Sequence, residues 1–193
     1  MVGQELQNFP EIHNEDCKRI SLCKNYIENL PTEFTGPKLV SLFLAENEIK
    51  ELPSGFLVSL TSLKVLDLAG NARITSIPST VSELKQLEVL RLSNLSEIQD
   101  LTEQICHLSS LQFLYVNGCE RLPSLPSKIG QLKNLKVLDL NECTSHPHEI
   151  SHLTSLSTLR ASGLLMFCTL PFVVIRSPVL NLYCSAKSLV CNL

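Results

Sequence analysis

One constant interval governs this chain. Leu39, Leu63, Leu87, Leu111 and Leu135 stand at equal spacing, and each opens a segment with leucine-type residues at offsets of three and five. The segments read LVSLFL, LKVLDL, LEVLRL, LQFLYV and LKVLDL. A long period of this kind marks a structure built by stacking one supersecondary unit on the next. Such a unit cannot bury its apolar face alone, so its neighbours must seal it.

The spacing Leu-x-x-Leu-x-Leu predicts an α/β leucine-rich-repeat solenoid, a curved horseshoe with one short parallel strand per coil on its concave face. The pattern extends outward from its clear centre. Upstream, Cys17, Ile20 and Leu22 fill the three apolar slots, and downstream Leu156, Leu159 and Ala161 fill them after a shortened unit. This gives seven repeats between Cys17 and Gly163, with an eighth, degenerate one expected beyond them. The domain plan is therefore a linker or cap over 1–16, the solenoid over 17–163 and an irregular apolar tail or degenerate repeat over 164–193.

The second half of each unit also recurs, as in LPSGFLVSLTSL from Leu52, IPSTVSELKQL from Ile77 and LPSKIGQLKNL from Leu125. An apolar-Pro pair turns the chain, and anchors such as Val81, Leu84 and Leu87 follow at helical spacing. Proline suits a first helical turn, where its missing N–H is not needed. Short helical or 3-10 turns are expected on the convex side, with their anchors against the strand leucines. At ~1.5–3 kcal/mol per buried aliphatic side chain, this ladder supplies most of the folding free energy.

Three places after the third apolar slot stand Asn25, Asn47 and Asn71, then Leu95, Cys119, Cys143 and Leu164. An asparagine amide both donates and accepts, so it can tie the turn that leaves the strand. A thiol is a weak donor, which predicts tighter turns in the first three repeats than in the last four.

Composition narrows the functional classes. Apolar residues make up 44% of the chain, enough for a core. The net charge is −3 with lysine and arginine scattered, so no basic stripe for nucleic acid or an acidic membrane surface is visible. Tryptophan is absent, which argues against a base-stacking platform. Eight cysteines could form four disulfides, but none is part of a C-x-x-C pair and several occupy ladder slots. With no signal peptide in MVGQELQNFP, reduced thiols in cytosol or nucleus are the better reading. Under it, the glycosylation sequon Asn94-Leu95-Ser96 is chance.

The ends are less regular. Residues 1–16 are polar, and no good cap is evident at either end. Leu164–Ile175 is an apolar run containing Pro171, shorter than the ~20 residues of a membrane span. It reads as part of the degenerate eighth repeat, with Leu180 and Leu182 following Leu159 and Ala161 at the same shortened interval. A membrane-associating tail and irregular sequence are the alternatives. An uncapped apolar tail would aggregate as a true terminus, so the chain reads as a fragment of a longer protein.

Catalytic constellations are not found. No phosphate-binding G-x-x-x-x-G-K-[ST] loop, no G-x-G-x-x-G and no G-x-S-x-G elbow occurs. Neither enzyme nor cofactor is expected. Cys143, His146, His148 and His152 could be called a zinc site by composition. Their register argues against it: His146 fills the apolar slot before Pro147, His148 and His152 fall on exposed convex positions, and Cys143 lies in the turn.

A partner should instead meet the concave face, where the residues between the leucines point outward because strand side chains alternate. One column holds Arg19, Ser41, Val65, Val89, Phe113, Val137 and Thr158; the next holds Ser21, Phe43, Asp67, Arg91, Tyr115, Asp139 and Arg160. With parallel strands ~4.8 Å apart, Asp67 is within reach of Arg91, and Asp139 of Arg160. The sharper expectation is a protein-binding patch around Phe113 and Tyr115, rimmed by Arg91 and Asp139, since tyrosine and arginine dominate binding energetics at interfaces. The blander one is that β-branched and aromatic residues simply favour strands. Arg19, Phe43, Asp67, Val89, Arg91, Phe113, Tyr115, Val137, Asp139 and Arg160 are the candidate contact residues.

The stretch DCKRISLCKNYIENLP (Asp16–Pro31), followed by LVSLFLAENEIKELPSGFLVSLTSLKVLDLAGN, resembles the start of the leucine-rich domain of plant nucleotide-binding leucine-rich-repeat disease-resistance proteins, the coiled-coil type most of all. Cys17, Lys18, Arg19, Ile20, Ser21, Leu22, Asn25, Ile27, Leu30 and Pro31 match that family's opening, and Phe56, Leu60, Leu63, Val65, Leu66, Asp67 and Leu68 match its third-repeat motif. Val2–Pro10 resembles the link that follows the nucleotide-binding part. The resemblance implies a monomeric recognition domain of an intracellular plant innate-immune receptor, cytoplasmic or alternatively nuclear or peripheral to a membrane. Its implied partners are a pathogen effector or guarded host protein and the receptor's own nucleotide-binding module. Because the chain lacks that module, a fragment or truncated paralogue is expected. The resemblance places an autoinhibitory contact at Lys18, Arg19 and Lys24. The alternative is a general intracellular leucine-rich-repeat scaffold with no immune role.

Overall fold

The computed structural model describes residues 3–12, 16–143, 150 and 152–161, together with the backbone of 181–183. The element order is β1 (Arg19–Ser21), β2 (Ser41–Phe43), α1 (Ser54–Val58), β3 (Val65–Asp67), η1 (Ser79–Glu83), β4 (Val89–Arg91), η2 (Glu103–His107), β5 (Phe113–Tyr115), η3 (Ile129–Gln131), β6 (Val137–Asp139), β7 (Thr158–Arg160) and β8 (Asn181–Tyr183). The eight strands form one parallel sheet in sequence order, as a solenoid requires.

The constant period sets the register. Leu42 pairs with Leu66, Leu66 with Leu90, Leu90 with Leu114, Leu114 with Leu138 and Leu138 with Leu159. These six leucines form a spine that is 0–1% exposed. Further buried leucines flank the strands, such as Leu87 and Leu92 around β4. The convex anchors Phe56, Val81, Ile105 and Ile129 close the coils from the other side and are fully buried.

The convex turns are tighter than α-helices, with α1 alone, among the described residues, adopting the α form. Their bonds close three residues back, as in Val81 N–H to Pro78 C=O (3.1 Å) and Ile105 N–H to Thr102 C=O (3.1 Å). Pro53 and Pro78 precede α1 and η1, where no backbone donor is needed. Thr102 precedes η2, and its hydroxyl accepts the Gln104 N–H at 3.4 Å.

Two sequence expectations are corrected. Among the described residues, the amino-terminal segment is a working cap. Leu6, Phe9 and Ile12 pack on the core, and the main chain adds a rung, with Tyr26 N–H donating to Leu6 C=O (2.9 Å) and Asn8 bridging Asn29. Phe9 meets Phe34 and Phe56 edge-on, with ring centres 5.3 and 5.6 Å away. The polar residues between these three hide an apolar triplet spaced three apart. The second correction is the register of the last strand. Leu182 lies opposite Leu159 in the parallel pairing of β7 with β8, so it holds the middle slot expected for Leu180. The apolar run Leu164–Ile175 lies outside the described residues.

The asparagine ladder is resolved atom by atom. Asn47 Nδ2 donates to Leu44 C=O in its own coil and Leu22 C=O in the coil before (both 2.9 Å), while its Oδ1 accepts the Ile27 N–H (3.2 Å). Asn71 repeats this with Leu68 (2.8 Å), Leu44 (3.0 Å) and Ile49 (3.2 Å). Asn25 uses its Oδ1 to hold the cap, accepting the N–H groups of Gln4 and Leu6. From Asn71 onward the loop grows by one position, because Ile27 and Ile49 follow their asparagines by two places and Ile74 by three. The extra residue lets the chain satisfy itself: Ile74 N–H bonds to Asn71 C=O, Ile98 to Leu95 and Leu122 to Cys119, each at 3.1 Å. The acceptor half of an asparagine is then unnecessary, and only the donor half is left to fill. Cys119 Sγ fills it toward Leu92 C=O (3.1 Å) and Cys143 Sγ toward Val116 C=O (3.0 Å).

Among the described residues, a left-handed residue recurs one position before each ladder slot from Asn25 to Cys143. Lys24, Glu46, Asn94 and Glu142 have φ of 55–62°, and Gly70 and Gly118 have φ of 74° and 73°. In the first five of these along the chain the turn aims the N–H at the next coil, as in Glu46 to Ala69 C=O (2.7 Å) and Gly118 to Asn141 C=O (2.8 Å).

Candidate functional site

Strand alternation and parallel register place both concave columns where the sequence puts them. Val65, Val89, Phe113 and Val137 face one another rung by rung, as do Asp67, Arg91, Tyr115 and Asp139. The four residues of the first group are half-buried and form an apolar stripe across the centre of the sheet. Arg19 stands exposed at its amino-terminal end, and Ser41 is buried.

The second column is electrostatically uneven. Asp67 and Asp139 are buried and Arg91 and Arg160 exposed, with Phe43 and Tyr115 between these extremes. Each aspartate caps the turn beyond its strand, Asp67 Oδ1 accepting the Ala69 N–H (3.1 Å) and Asp139 Oδ1 the Asn141 N–H (3.2 Å). Asp139 also pairs with Arg160 at 3.4 Å, as the spacing predicts. Asp67 and Arg91 have the same one-rung relation, yet among the described residues no salt bridge forms at Arg91. Its guanidinium lies over the Tyr115 ring instead, 5.1 Å from the centroid. Burial pushes the Asp67 carboxyl above its ordinary value, while the Ala69 N–H and the charge of Arg91 act in the opposite sense.

Polar pairs flank the patch. Lys64 bridges to Glu88 and Lys136 donates to Gln112, each at 2.8 Å, on the side where the strands begin. On the side where they end, Ser93 Oγ donates to Asn117 Oδ1 at 2.6 Å. Ser93 and Asn117 are not among the expected contact residues; their signal is their place directly after the third apolar slot. Lys18, Arg19 and Lys24 are exposed on the first coil, and Lys24 lies 3.7 Å from Glu46.

The cysteines and histidines offer different chemistry. Cys143 is buried, and desolvation pushes its thiol up to about 12, with Cys119 up to about 11 and Cys106 to about 12. High thiol pKa values oppose the thiolate that metal ligation or nucleophilic attack needs. His152 is exposed, and its main-chain carbonyl accepts Lys133 Nζ at 3.0 Å. His146 and His148 lie outside the described residues. Among the described residues no group of three or more His, Cys, Asp or Glu could hold a metal.

Two family models match the chain. One, described as a leucine rich repeat, matches residues 17–72 and 37–98, and another, a leucine-rich repeat region, matches 89–169. The chain is a leucine-rich repeat protein. Its repeats are similar to those of plant disease-resistance proteins. A probable disease resistance protein of Arabidopsis thaliana is 32% identical over 83 residues, covering 42% of this chain and 10% of that protein. The disease resistance protein UNI of Arabidopsis thaliana is 34% identical over 84 residues, covering 43% and 9%. This leucine-rich repeat protein thus spans about a tenth of the length of the curated relatives it matches. An internalin of Listeria monocytogenes, 22% identical, superposes with a TM-score of 0.72 over 83% of this chain and 46% of its own, which establishes the solenoid fold. Leucine-rich repeats of this kind are protein-interaction modules. No helix among the described residues is long and apolar enough to cross a membrane.

Proposed function

We propose that this leucine-rich repeat chain is the recognition region of an intracellular plant immune receptor. It binds a pathogen molecule or a guarded host protein on the concave face of its sheet. The similarity to disease-resistance proteins supports the immune setting. The observation that carries the site is the exposed Arg91 held over Tyr115 beside the Val89–Phe113–Val137 stripe, an aromatic and arginine pairing of the sort that dominates interface energetics. Phe43, Val89, Arg91, Phe113, Tyr115, Val137 and Arg160 touch the partner, with Arg19 at the edge. Asp67 and Asp139, being buried, act by holding the turns and the local field. Lys18, Arg19 and Lys24 meet the nucleotide-binding module of the receptor, and their exposure on the first coil leaves them accessible to it.

Photo-crosslinking tests this reading. A benzophenone amino acid replaces Phe113 in one version of the chain and the convex, exposed Lys133 in another, and both are expressed in leaf tissue challenged with a pathogen. Adducts are expected from position 113. Equal or greater yield from position 133 rules the concave face out. In a second arm, Lys18→Glu, Arg19→Glu and Lys24→Glu together should weaken binding to a separately supplied nucleotide-binding module, and unchanged binding refutes that contact.

A further inference from the structure

The second concave column carries the same step twice. Aspartate and arginine stand on consecutive rungs, as Asp67 with Arg91 and again as Asp139 with Arg160. In both cases the aspartate is buried, its Oδ1 caps the N–H two residues on, and the arginine is exposed. The arginines resolve differently. Arg160 closes onto its aspartate at 3.4 Å. Arg91 leans the other way, its guanidinium over the Tyr115 ring at 5.1 Å. The two aspartate-arginine pairs therefore differ, one closed into an ion pair and one with its arginine drawn to the next rung.

The surroundings of Arg91 fit an external anion. Of the acidic groups nearby, Glu88 pairs with Lys64 (2.8 Å) and Asp139 with Arg160, while buried Asp67, one rung away, spends its Oδ1 on the Ala69 N–H and meets Arg91 through its charge alone. Arg91 stands beside Val89 on its own strand and Phe113 on the next, so its guanidinium borders an apolar surface. The ring holds the guanidinium on its own side of the rung, and an arginine fork there can engage a carboxylate with two parallel bonds.

We propose that Arg91, positioned by Tyr115, anchors a carboxylate side chain of a protein partner whose neighbouring apolar side chain seats on Val89, Phe113 and Val137. This rests on the concave-face reading above and adds the chemistry of the partner: an acidic residue beside a bulky apolar one. Tyr115 is the positioning residue; it keeps Arg91 from collapsing onto Asp67.

A random peptide library displayed on phage is panned on the full chain. The selected peptides are then measured against Arg91→Gln, Arg91→Lys, Tyr115→Leu and Phe113→Ala chains whose circular dichroism matches the parent. The expected selection is enriched in Asp or Glu next to Leu, Ile, Phe or Tyr. Affinity of these peptides should fall about tenfold on Arg91→Gln, the size of a lost charge-assisted contact. Arg91→Lys should restore only part, because lysine cannot fork. Tyr115→Leu should also weaken the acidic peptides, while their Gln-for-Glu versions lose nothing. Peptides with no acidic enrichment, or with equal affinity for the parent and Arg91→Gln, overturn the anchor. If such peptides still lose binding on Phe113→Ala, the concave-face reading stands without it. If they are indifferent to Phe113→Ala as well, or if no peptide binds, both fall.

Discussion

Asn47 Oδ1 accepts the main-chain N–H of Ile27, one coil back, at 3.2 Å. This bond exists because the loop after Asn25 is shorter by one position than the loop after Asn71, and the shorter loop cannot close on its own carbonyl. Asn47 is therefore a link between coils as well as a cap on its own turn.

Asn47→Ala leaves the buried Ile27 N–H without its partner, while the Leu22 and Leu44 carbonyls keep Asn25 Nδ2 and Asn71 Nδ2. At ~1–3 kcal/mol for one buried group left unsatisfied, and with the two amide bonds lost as well, the cost should be about 2–3 kcal/mol. Cys119→Ala removes a single weak donor to Leu92 C=O and should cost about 1–2 kcal/mol, packing included, with Cys119→Ser recovering part of it. Urea denaturation of the three variants checks the order, and equal losses for Asn47→Ala and Cys119→Ala refute it.

The leucine spine sets the scale against which such effects are read. Leu90→Ala or Leu114→Ala opens a cavity in a fully buried rung and should destabilise the chain by ~2–5 kcal/mol. The neighbouring concave substitution Val89→Ala, at a half-buried position, should cost clearly less. A denaturation midpoint for Leu114→Ala no lower than that of Val89→Ala refutes the spine as the main source of stability.

Asp67 carries a pH dependence of defined sign. Its folded-state pKa is raised by burial, so the fold favours the protonated form. Its contribution is complete below the ordinary carboxylate range and is lost as pH rises through the raised value. Asp67→Asn keeps the acceptor for the Ala69 N–H and carries no charge. It should be more stable than the parent near neutral pH, with the gap closing in acid. Tyr115→Leu should release Arg91 toward Asp67 and lower the carboxyl titration midpoint, which carbon-detected NMR reads directly. An unmoved midpoint contradicts the hold of Tyr115 on Arg91.

Backbone handedness gives a paired prediction. Gly118 has φ of 73°, and a Cβ there would run into the Asn94 side chain. Gly118→Ala should therefore lose about 1–2 kcal/mol from the left-handed conformation alone, more once the contact is included. Glu46, at the equivalent place with φ of 55°, bears strain of the same kind. Glu46→Gly should be neutral or stabilising by up to about 1 kcal/mol, the balance of relieved strain and added chain entropy. Thermal melts of the two variants should move in different directions or by clearly different amounts.

Thiol reactivity separates two groups of cysteines. Cys106, Cys119 and Cys143 are buried, with thiols pushed up to about 12, 11 and 12, whereas Cys17 and Cys23 are partly accessible. Timed alkylation near pH 8 followed by peptide mapping should label Cys17 and Cys23 first. The other three should react at the rate of unfolding. Rapid labelling of Cys119 in the folded chain contradicts its place in the ladder.

Much of this architecture is legible in the sequence because a solenoid converts periodicity directly into register. Leu66 and Leu90 face each other for no reason beyond standing one full period apart. The concave columns follow from the same count. What spacing cannot give is the choice among competing partners for one side chain. Asp67 and Tyr115 both lie one rung from Arg91, and the ring wins by a geometry that periodicity does not encode. The left-handed position is visible at Gly70 and Gly118 but concealed under Lys24, Glu46 and Glu142, which ordinarily avoid it. The cap hides for a similar reason: Leu6, Phe9 and Ile12 are diluted by polar neighbours and belong to no repeat. The last strand defeats simple counting because the interval from Leu138 to Leu159 is not repeated from Leu159 to Leu182.

The change from amide to thiol rungs between Asn71 and Cys119 makes the molecule directional. Cohesion between turns is greatest near the start of the spiral, where amides stitch three coils and aromatic rings pin the first. It is less in the later described coils, where single sulfur contacts of Cys119 and Cys143 do the stitching. A spring wound this way should open at those later coils before the amide-tied ones.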